Sequence, residues 1–274
     1  MSLFLHRSGL LGVQRKHFLA DLVPGASFLW SPRQALSSDA NTAADFLTVR
    51  ETGSNTEDDF SAAQVNGSEL TVFTGANDGR IVAGLDASGE GNHPVQATAA
   101  EQPWIVDSGT LLDGADFRGG QELTRAAIPA LSTADSFSVV CLINNRVLEV
   151  SSFFAQRNGS NQDRFYLGFT AADEVGFRVQ KTTTTYEVSS DTLPLGNYLV
   201  IATWNHATTT PSLRVNKVVQ DGDSPVSMSP ANGLHIGSRG GLAGAFDGHI
   251  FVAAAWPFLL SAEQISAVEN FLMP

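Results

Sequence analysis

The chain has 274 residues, of which 43% are hydrophobic and 16% charged, so it can bury a core as one large domain or two modest ones. Its formal net charge of −12 argues against nucleic acid as the main partner, because phosphate binding needs a basic face. Cys141 is the only cysteine, which excludes an intrachain disulfide and a cysteine-based metal cluster.

The sequence predicts no membrane insertion. Its longest apolar run, from Phe251 to Leu260, is much shorter than the ~20 residues that a transmembrane helix needs. The first residues also lack the pattern of a secretory signal peptide.

Residues 1–25 are predicted to form an N-terminal assembly arm. Apolar positions spaced for a short helix over about 10–23 end before Pro24, and the segment is basic while the remainder is acidic. This indicates docking on an acidic partner, although a chance fluctuation in a short segment is the alternative. The side chains assigned to this role are Leu10, Arg15, Lys16, Phe18 and Leu22.

Residues 26–112 are predicted to form an irregular β elaboration of the body, with short strands at Phe46–Arg50 and Leu70–Phe73. A glycine-rich segment follows, in which Asp86, Ser88 and Asn92 can hydrogen-bond to nearby backbone amides and hold a loop. We expect His93 to have a hydrogen-bonding, structural role in this loop.

The segment Asp86-Ala-Ser-Gly-Glu-Gly-Asn-His93 resembles the Asp-Gln-Ser-Gly-Asn-Gly-Asn-His segment that precedes a concanavalin-A-like jelly roll in many phage and prophage virion proteins. A similar segment occurs in the catalytic domain of family 54 arabinofuranosidases. Gly84 and Leu85 stand where Trp and Tyr usually stand. The resemblance implies a lineage rather than an activity.

Residues 113–274 are predicted to form the jelly roll itself. Apolar residues alternate with period two over many short segments up to residue 260, the pattern of strands that bury one face of a sandwich. Ser261 and Gln264 form the pattern of a capping box, which predicts a closing helix over 261–272. The last 40 residues also resemble the end of laminin-G-like domains, through Phe246-Asp-Gly-His-Ile and Leu260-Ser-Ala-Glu-Gln. The expected fold is therefore all-β: a concanavalin-A-like jelly-roll sandwich with an N-terminal arm and a short C-terminal helix.

Carbohydrate is the ligand that the loops favour, because sugars stack on aromatic rings and bond to amides beside them. The candidate residues are Trp204, Asn205, Tyr166 and Tyr186. The alternative is that Trp204 and Tyr166 are core residues whose polar atoms are satisfied internally.

Calcium is the candidate metal, and no other cofactor is expected. Calcium takes six to eight oxygen ligands, and carboxylates suitable for it lie at Asp113, Asp116, Asp221 and Asp223. Asp247 is a further candidate, with a turn at Asp247-Gly248 as the alternative.

The sequence predicts no enzyme and no catalytic residues. A glycosidase needs two carboxylates facing one cleft, and the Glu-x-Asp-x-Glu run of jelly-roll glucanases is absent. The Cys-Cys-Phe-Asp-Tyr-Gly-Asn-Ala-Glu motif that the resemblance associates with arabinofuranosidases is absent as well.

The resemblance implies a bacteriophage virion structural protein at the particle surface, as a tail fibre, baseplate or head decoration. Its expected partners are other virion proteins through the arm, host-surface glycan at the loops, and further copies of itself in a homo-oligomer. A purely structural decoration or scaffold is the first alternative, and a glycoside hydrolase is the second.

Overall fold

The computed structural model describes residues 18–158, 163–170, 173–221, 232–240 and 244–273. Two antiparallel sheets form the body of this structure, so the predicted all-β sandwich with a short C-terminal helix is confirmed. Leu10, Arg15, Lys16 and Asp223 lie outside the described residues.

The large sheet contains eleven strands and the small sheet six. The strands are β1 (Phe28–Trp30), β2 (Leu47–Glu51), β3 (Glu57–Phe60), β4 (Gly79–Gly84), β5 (Trp104–Asp107), β6 (Thr110–Arg118), β7 (Leu123–Arg125), β8 (Phe137–Asn145), β9 (Ser151–Arg157), β10 (Asp163–Phe169), β11 (Glu174–Lys181), β12 (Thr184–Thr192), β13 (Gly196–Asn205), β14 (Thr210–Val215), β15 (Val218–Gln220), β16 (Gly233–Ile236) and β17 (Asp247–Trp256). The helices are α1 (Leu19–Leu22), α2 (Ser38–Thr42), α3 (Ala62–Asn66), α4 (Glu69–Thr74) and α5 (Ala262–Leu272).

The large sheet runs in the order β15-β14-β13-β8-β17-β6-β5-β4-β2-β3, with β1 paired to β17. The small sheet runs β12-β11-β10-β9-β16-β7. Strands from residues 28–107 therefore continue the same sheet that holds β6, β8 and β17.

The core lies between the two sheets and is rich in phenylalanine. Phe137 of the large sheet lies 4.5 Å from Phe165 and 6.2 Å from Phe177 of the small sheet, measured between ring centroids. Phe154 stacks 6.1 Å from Phe165. The packing arises because period-two alternation sends these side chains to the same face of each strand.

The closing helix α5 begins where the sequence predicts. The Ser261 hydroxyl accepts from the Gln264 amide, and the Gln264 side chain accepts from the Ser261 amide, so the capping box is complete. The Arg214 guanidinium pairs with the buried Glu269 carboxylate at 3.0 Å, which fastens α5 to β14. None of the helices in the described parts of the chain has the length and apolar character that spanning a membrane requires.

The strand predicted at Leu70–Phe73 is wrong, because this segment lies in helix α4. Leu70 is fully buried and Phe73 packs against the core, while Val72 is 76% exposed. Positions three apart share one face of a helix, so this pattern places the two larger side chains inward and Val72 in solvent.

Residues 18–25 belong in part to the packed body. Leu19 and Val23 are fully buried, and the Trp256 indole donates to the Val23 carbonyl at 3.0 Å. Phe18 and Leu22, which were assigned to the arm, are half-buried.

The two ends of the large sheet differ in length and charge. One end is the three-residue strand β15. The other is β3, which carries the exposed residues Glu57, Asp58 and Asp59.

Candidate functional site

The glycine-rich loop is held by Asp86, as the sequence predicts. The buried Asp86 carboxylate accepts from the amides of Leu29, Ser88 and Asn92 at 2.9–3.0 Å and from the Ser88 hydroxyl at 2.7 Å. His93 Nδ1 accepts from the Asp86 amide at 2.9 Å, which is the structural role expected of it. These groups are bonded to one another, so the loop is a structural element.

Only glycine fits at position 84, because the ring of Trp30 occupies the space where a side chain would begin. A Cβ atom at position 84 would lie 2.1 Å from the Trp30 indole nitrogen. The segments that this loop resembles have Trp at this position, whereas here Trp30 of β1 lies against the strand.

Two predicted sugar-binding residues lie in the interior, which corrects their assignment. Trp204 is 0% exposed and its indole donates to the Thr133 carbonyl at 3.1 Å, while Tyr166 is 1% exposed. Trp204 belongs to a central strand, and Tyr186 of the small sheet packs 5.1 Å from its ring. Neither Trp204 nor Tyr166 therefore presents a face on which a sugar can stack.

The other two candidates have structural contacts of their own. The Asn205 side chain accepts from the amides of Ala207 and Thr208 at 3.1 and 3.3 Å, which forms the turn after β13. Tyr186 is half-buried against Trp204.

Three of the predicted calcium ligands, Asp113, Asp116 and Asp247, are grouped around the neighbouring strands β6 and β17 of the large sheet. Asp116 pairs with His249, and Asp247 with Arg118, in the register of these strands. Asp221 lies after β15 at the far end of the sheet, away from this group.

The strand register extends this group into a line of polar and aromatic side chains across six strands of the sheet. Neighbouring positions pair in the order Arg80 to Trp104, Trp104 to Asp116, Asp116 to His249, His249 to Asn144, and Asn144 to Asn197. We call these six residues the polar row.

The polar row lies on the outer face of the large sheet. Ala115, Ile143 and Ile250 are adjacent in sequence to its members and are fully buried in the core. Because successive side chains of a strand point to opposite faces, Asp116, Asn144 and His249 point away from the small sheet.

Two arginines bind the carboxylates around the row. Arg118 Nε lies 2.8 Å from Asp116 Oδ2, and Arg118 Nη2 lies 2.6 Å from Asp107 Oδ2. Arg146 Nη1 lies 2.5 Å from Asp116 Oδ1, and Arg146 Nε lies 2.9 Å from Asp247 Oδ1. Hydrogen bonding from Arg118 lowers the pKa of Asp107. Asp116 is thus fixed between two guanidinium groups.

His249 lies beside this pair on β17. Its Nε2 is 3.8 Å from Asp116 Oδ1, and its ring is stacked 6.1 Å from that of Phe251. Burial lowers the pKa of His249, and the charge of Arg146 lowers it further, although Asp116 and Asp113 act in the opposite direction. The neutral imidazole is therefore favoured.

Asp113 is the exposed carboxylate of the group. Its side chain makes no hydrogen bond or ion pair within the described residues, and its charge acts on His249 and on Arg33. The group therefore combines a fixed carboxylate with an imidazole beside it, and an accessible carboxylate whose charge acts on that imidazole.

This group is not arranged as a metal site. Across the parts of the chain that the structure describes, no cluster of three His, Cys, Asp or Glu side chains is placed to hold a metal ion. Arginines already form ion pairs with the carboxylates of Asp116 and Asp247. Calcium binding stays a prediction, and one of its proposed ligands, Asp223, lies outside the described residues.

No family model matches the chain, and no curated protein sequence matches it. Among solved structures it is similar to an arabinofuranosidase complexed with arabinofuranosyl-α-1,2-xylobiose, with a TM-score of 0.65 and 12% identity. It is similar also to a family 54 α-L-arabinofuranosidase soaked with a cyclic sulfate inhibitor, with a TM-score of 0.62 and 13% identity. Each likeness covers 93% of this chain and 64% of the other, so the chain spans less than two thirds of those structures.

These likenesses correct two expectations from the sequence. The structures that share the fold over nearly the whole chain are arabinofuranosidases and give no support to a phage origin, so the prediction of a virion structural protein is wrong. The prediction that the chain is not an enzyme is wrong on the same finding, because the shared fold is that of a glycoside hydrolase. At this identity the likeness shows the fold alone.

Proposed function

We propose that the protein acts on carbohydrate as a glycoside hydrolase, with its site at Asp116 and His249 on the outer face of the large sheet and at Asp113 on the same strand as Asp116. The observation that carries this is that one strand, β6, holds a fixed and an accessible carboxylate on a fold shared with arabinofuranosidases. Glycosidases divide their chemistry between two carboxyl groups, one that transfers a proton and one that acts as a base or nucleophile.

The two carboxylates have environments suited to different roles. Asp116 is 1% exposed and oriented by Arg118 and Arg146, which suits a group that acts through its charge. Asp113 is exposed and unbonded, so a leaving oxygen or a water can reach it. The neutral ring of His249 next to Asp116 can accept a hydrogen bond from a sugar hydroxyl.

Groups that recognise sugars lie along the same face. Phe251 is half-buried beside His249 and offers part of a ring for stacking. The Asn144 amide donates to the Asn197 side chain at 2.9 Å, and each side chain of this pair has further donors or acceptors for a hydroxyl.

Glycan binding without hydrolysis is the second candidate function. Asp107, Asp116 and Asp247 are each paired with an arginine, which suits carboxylates that accept hydrogen bonds from hydroxyls. Attachment of residues 1–25 to an assembly, and self-association, stay predictions.

The test is release of reducing sugar from arabinoxylan and arabinan by the protein and by Asp113→Asn and Asp116→Asn, with Asp58→Asn as the control. Asp58 is also a carboxylate on a strand of the large sheet, but it lies at the acidic edge. Hydrolysis that both site variants lose and the control keeps supports the hydrolase.

Three further outcomes separate the alternatives. Binding without hydrolysis, lost in the site variants, favours the glycan-binding protein. Neither binding nor hydrolysis by the unmodified chain contradicts both functions. Hydrolysis that survives both site variants places the active site elsewhere. Thermal unfolding of each variant shows whether a loss of activity reflects a loss of the fold.

A further inference from the structure

A small cavity lies at the end of the polar row, beside Arg80. It has a volume of about 210 Å³ and is lined by Arg50, Thr52, Asn55, Arg80, Ala99 and Ala100. Pockets for drug-sized ligands start at roughly 300 Å³. The cavity therefore suits one acidic group or a single small ring.

The lining is basic in a chain that is acidic overall. Two arginines face the cavity and no carboxylate lines it, although the chain has 28 acidic and 16 basic residues. The Thr52 hydroxyl and the Asn55 amide add uncharged donors. Ala99 and Ala100 keep the volume open because their side chains are single methyl groups.

The arginines are placed directly opposite each other. Arg50 on β2 pairs with Arg80 on β4 in the strand register. Like charges in this position destabilise a sheet unless an anion lies between or beside them. Arg50 has such an anion, since its guanidinium forms an ion pair with Glu57 on β3.

Arg80 lacks an ion-pair partner within the described residues. Its Nη1 donates to the Ala99 carbonyl at 3.2 Å, its guanidinium lies 3.9 Å from the centroid of Trp104, and its buried Nε has no hydrogen-bond partner there. Asp78 acts on it through its charge, but the Asp78 carboxylate accepts from the Trp104 indole and the Ser108 amide. Arg80 thus keeps a donor for an incoming anion.

We propose that this cavity binds the acidic group of a sugar, so that the ligand class of the protein is an acidic glycan carrying a carboxylate. The inference rests on the proposed function for the sugar part of the ligand. The carboxylate would be held by the planar, multi-donor guanidinium of Arg80, with Arg50 beside it. Thr52 and Asn55 would hydrogen-bond the neighbouring hydroxyls.

The cavity and the carboxylate site lie within reach of one ligand. Arg80 and His249 are on strands three steps apart, and neighbouring strands are about 4.8 Å apart, so the separation is roughly 14 Å. An oligosaccharide of a few units spans this distance across Trp104. An acidic unit in the cavity would thus position a bond of the same chain near Asp113 and Asp116.

The test is a titration with glucuronate, with glucose as the neutral control and inorganic sulfate as the non-sugar anion, followed through the Arg80 Nε–H resonance. Saturable binding of glucuronate at least tenfold tighter than that of glucose and sulfate is the expected result. Arg80→Gln should weaken it at least tenfold, and Arg125→Gln, which removes a charge from the small sheet, should not.

Arg80→Gln also removes the contact with Trp104, so a second variant tests the cavity without touching either arginine. Ala100 is exposed at its rim, and Ala100→Glu would place a competing carboxylate there. It should abolish glucuronate binding, and the matched Ala100→Gln should keep most of it, with the melting temperature of both unchanged.

Equal binding of glucuronate and glucose, preference for sulfate, or undiminished binding by Ala100→Glu would each overturn the inference. The titration needs no turnover, so its failure is separate from that of the hydrolase. If the native protein hydrolyses its substrate, the Asp113 and Asp116 variants do not, and glucuronate fails to bind, then the hydrolase proposal stands and only the proposal of an acidic ligand is wrong.

Discussion

At the scale of single residues, the Asp86 carboxylate ties β1 to the glycine-rich loop. Asp86→Ala would leave the amides of Leu29 and Asn92 without their acceptor. Each unsatisfied buried donor costs about 1–3 kcal/mol, so we expect a loss of about 3 kcal/mol in the free energy of unfolding.

Urea denaturation would measure this loss, with Asp58→Ala as the control, because Asp58 is exposed on the edge strand. Equal stability of the two variants would show that water replaces the carboxylate.

Trp204 gives a second prediction at this scale. Removing a fully buried tryptophan costs about 3–5 kcal/mol, so Trp204→Ala should destabilise the body strongly and affect glycan binding only through unfolding. Val72→Ala, at an exposed helix position, should change the unfolding midpoint little. A folded Trp204→Ala protein with a specific binding defect would restore the residue to the ligand site.

His249 makes stability depend on pH in a direction that its environment fixes. Burial lowers its pKa below the ordinary 6.5, so the unfolded chain binds a proton that the folded protein excludes. The contribution of His249 to the free energy of unfolding is complete above about pH 6.5, and it is lost as the pH falls through the lower pKa of the folded state.

Denaturant titrations at pH 7.5 and pH 5.5 should therefore show a larger loss of stability on acidification for the native chain than for His249→Asn. An equal loss in both would mean that other groups, above all the carboxylates, carry the whole pH dependence.

The sequence could indicate some of these residues and not others. Asp86, Ser88 and Asn92 are close in sequence, so their hydrogen bonds could be predicted. Arg80, Trp104 and Asp116 are brought together only by strand pairing with a register shift in β5, and no local pattern specifies that pairing. Trp204 lies near the end of a strand that has apolar residues on both faces. This pattern fits a buried residue and a sugar-binding residue equally, so the sequence left both interpretations open.

At the scale of elements, the N-terminus of α5 is stabilised by its capping box. Ser261→Ala removes the acceptor of the Gln264 amide and should cost about 1 kcal/mol. Ser68 precedes α4 but makes no side-chain capping bond, so Ser68→Ala is the matched control and should cost less than about 0.5 kcal/mol. Thermal unfolding of both would measure the difference, and equal melting temperatures would mean that the cap contributes nothing.

Helices and strands were predictable to different degrees. The closing helix has a full cap and an eleven-residue amphipathic stretch, and it was located correctly. Helix α4 has six residues, four of which fit a strand equally well by composition, and packing decided in favour of the helix.

At the scale of the whole molecule, residues 18–25 test where the body begins. A chain without residues 1–25 loses the buried side chains of Leu19 and Val23, each worth about 1.5–3 kcal/mol. Compared with a chain without residues 1–17, it should be less stable by about 3 kcal/mol or more, measured by denaturant unfolding. Equal stability would place 18–25 outside the cooperative unit.

The sandwich was predictable because period-two alternation recurs over many segments. The neighbours within each sheet were not, since β1 pairs with β17 across more than 220 residues of sequence. Function was not predictable either, because the resemblance in one loop implied a lineage and did not specify an activity.

The acidic strand β3 has a consequence for how the protein behaves in concentrated solution. The free edge of a sheet is a template on which another chain can add a strand, and three exposed carboxylates there repel a second acidic molecule. As the pH approaches the isoelectric point of about 4.8, both the local repulsion and the net charge fall away. Mild acid should therefore turn the protein from a dispersed solute into one prone to edge-to-edge aggregation, and purification or storage is best carried out well above that pH.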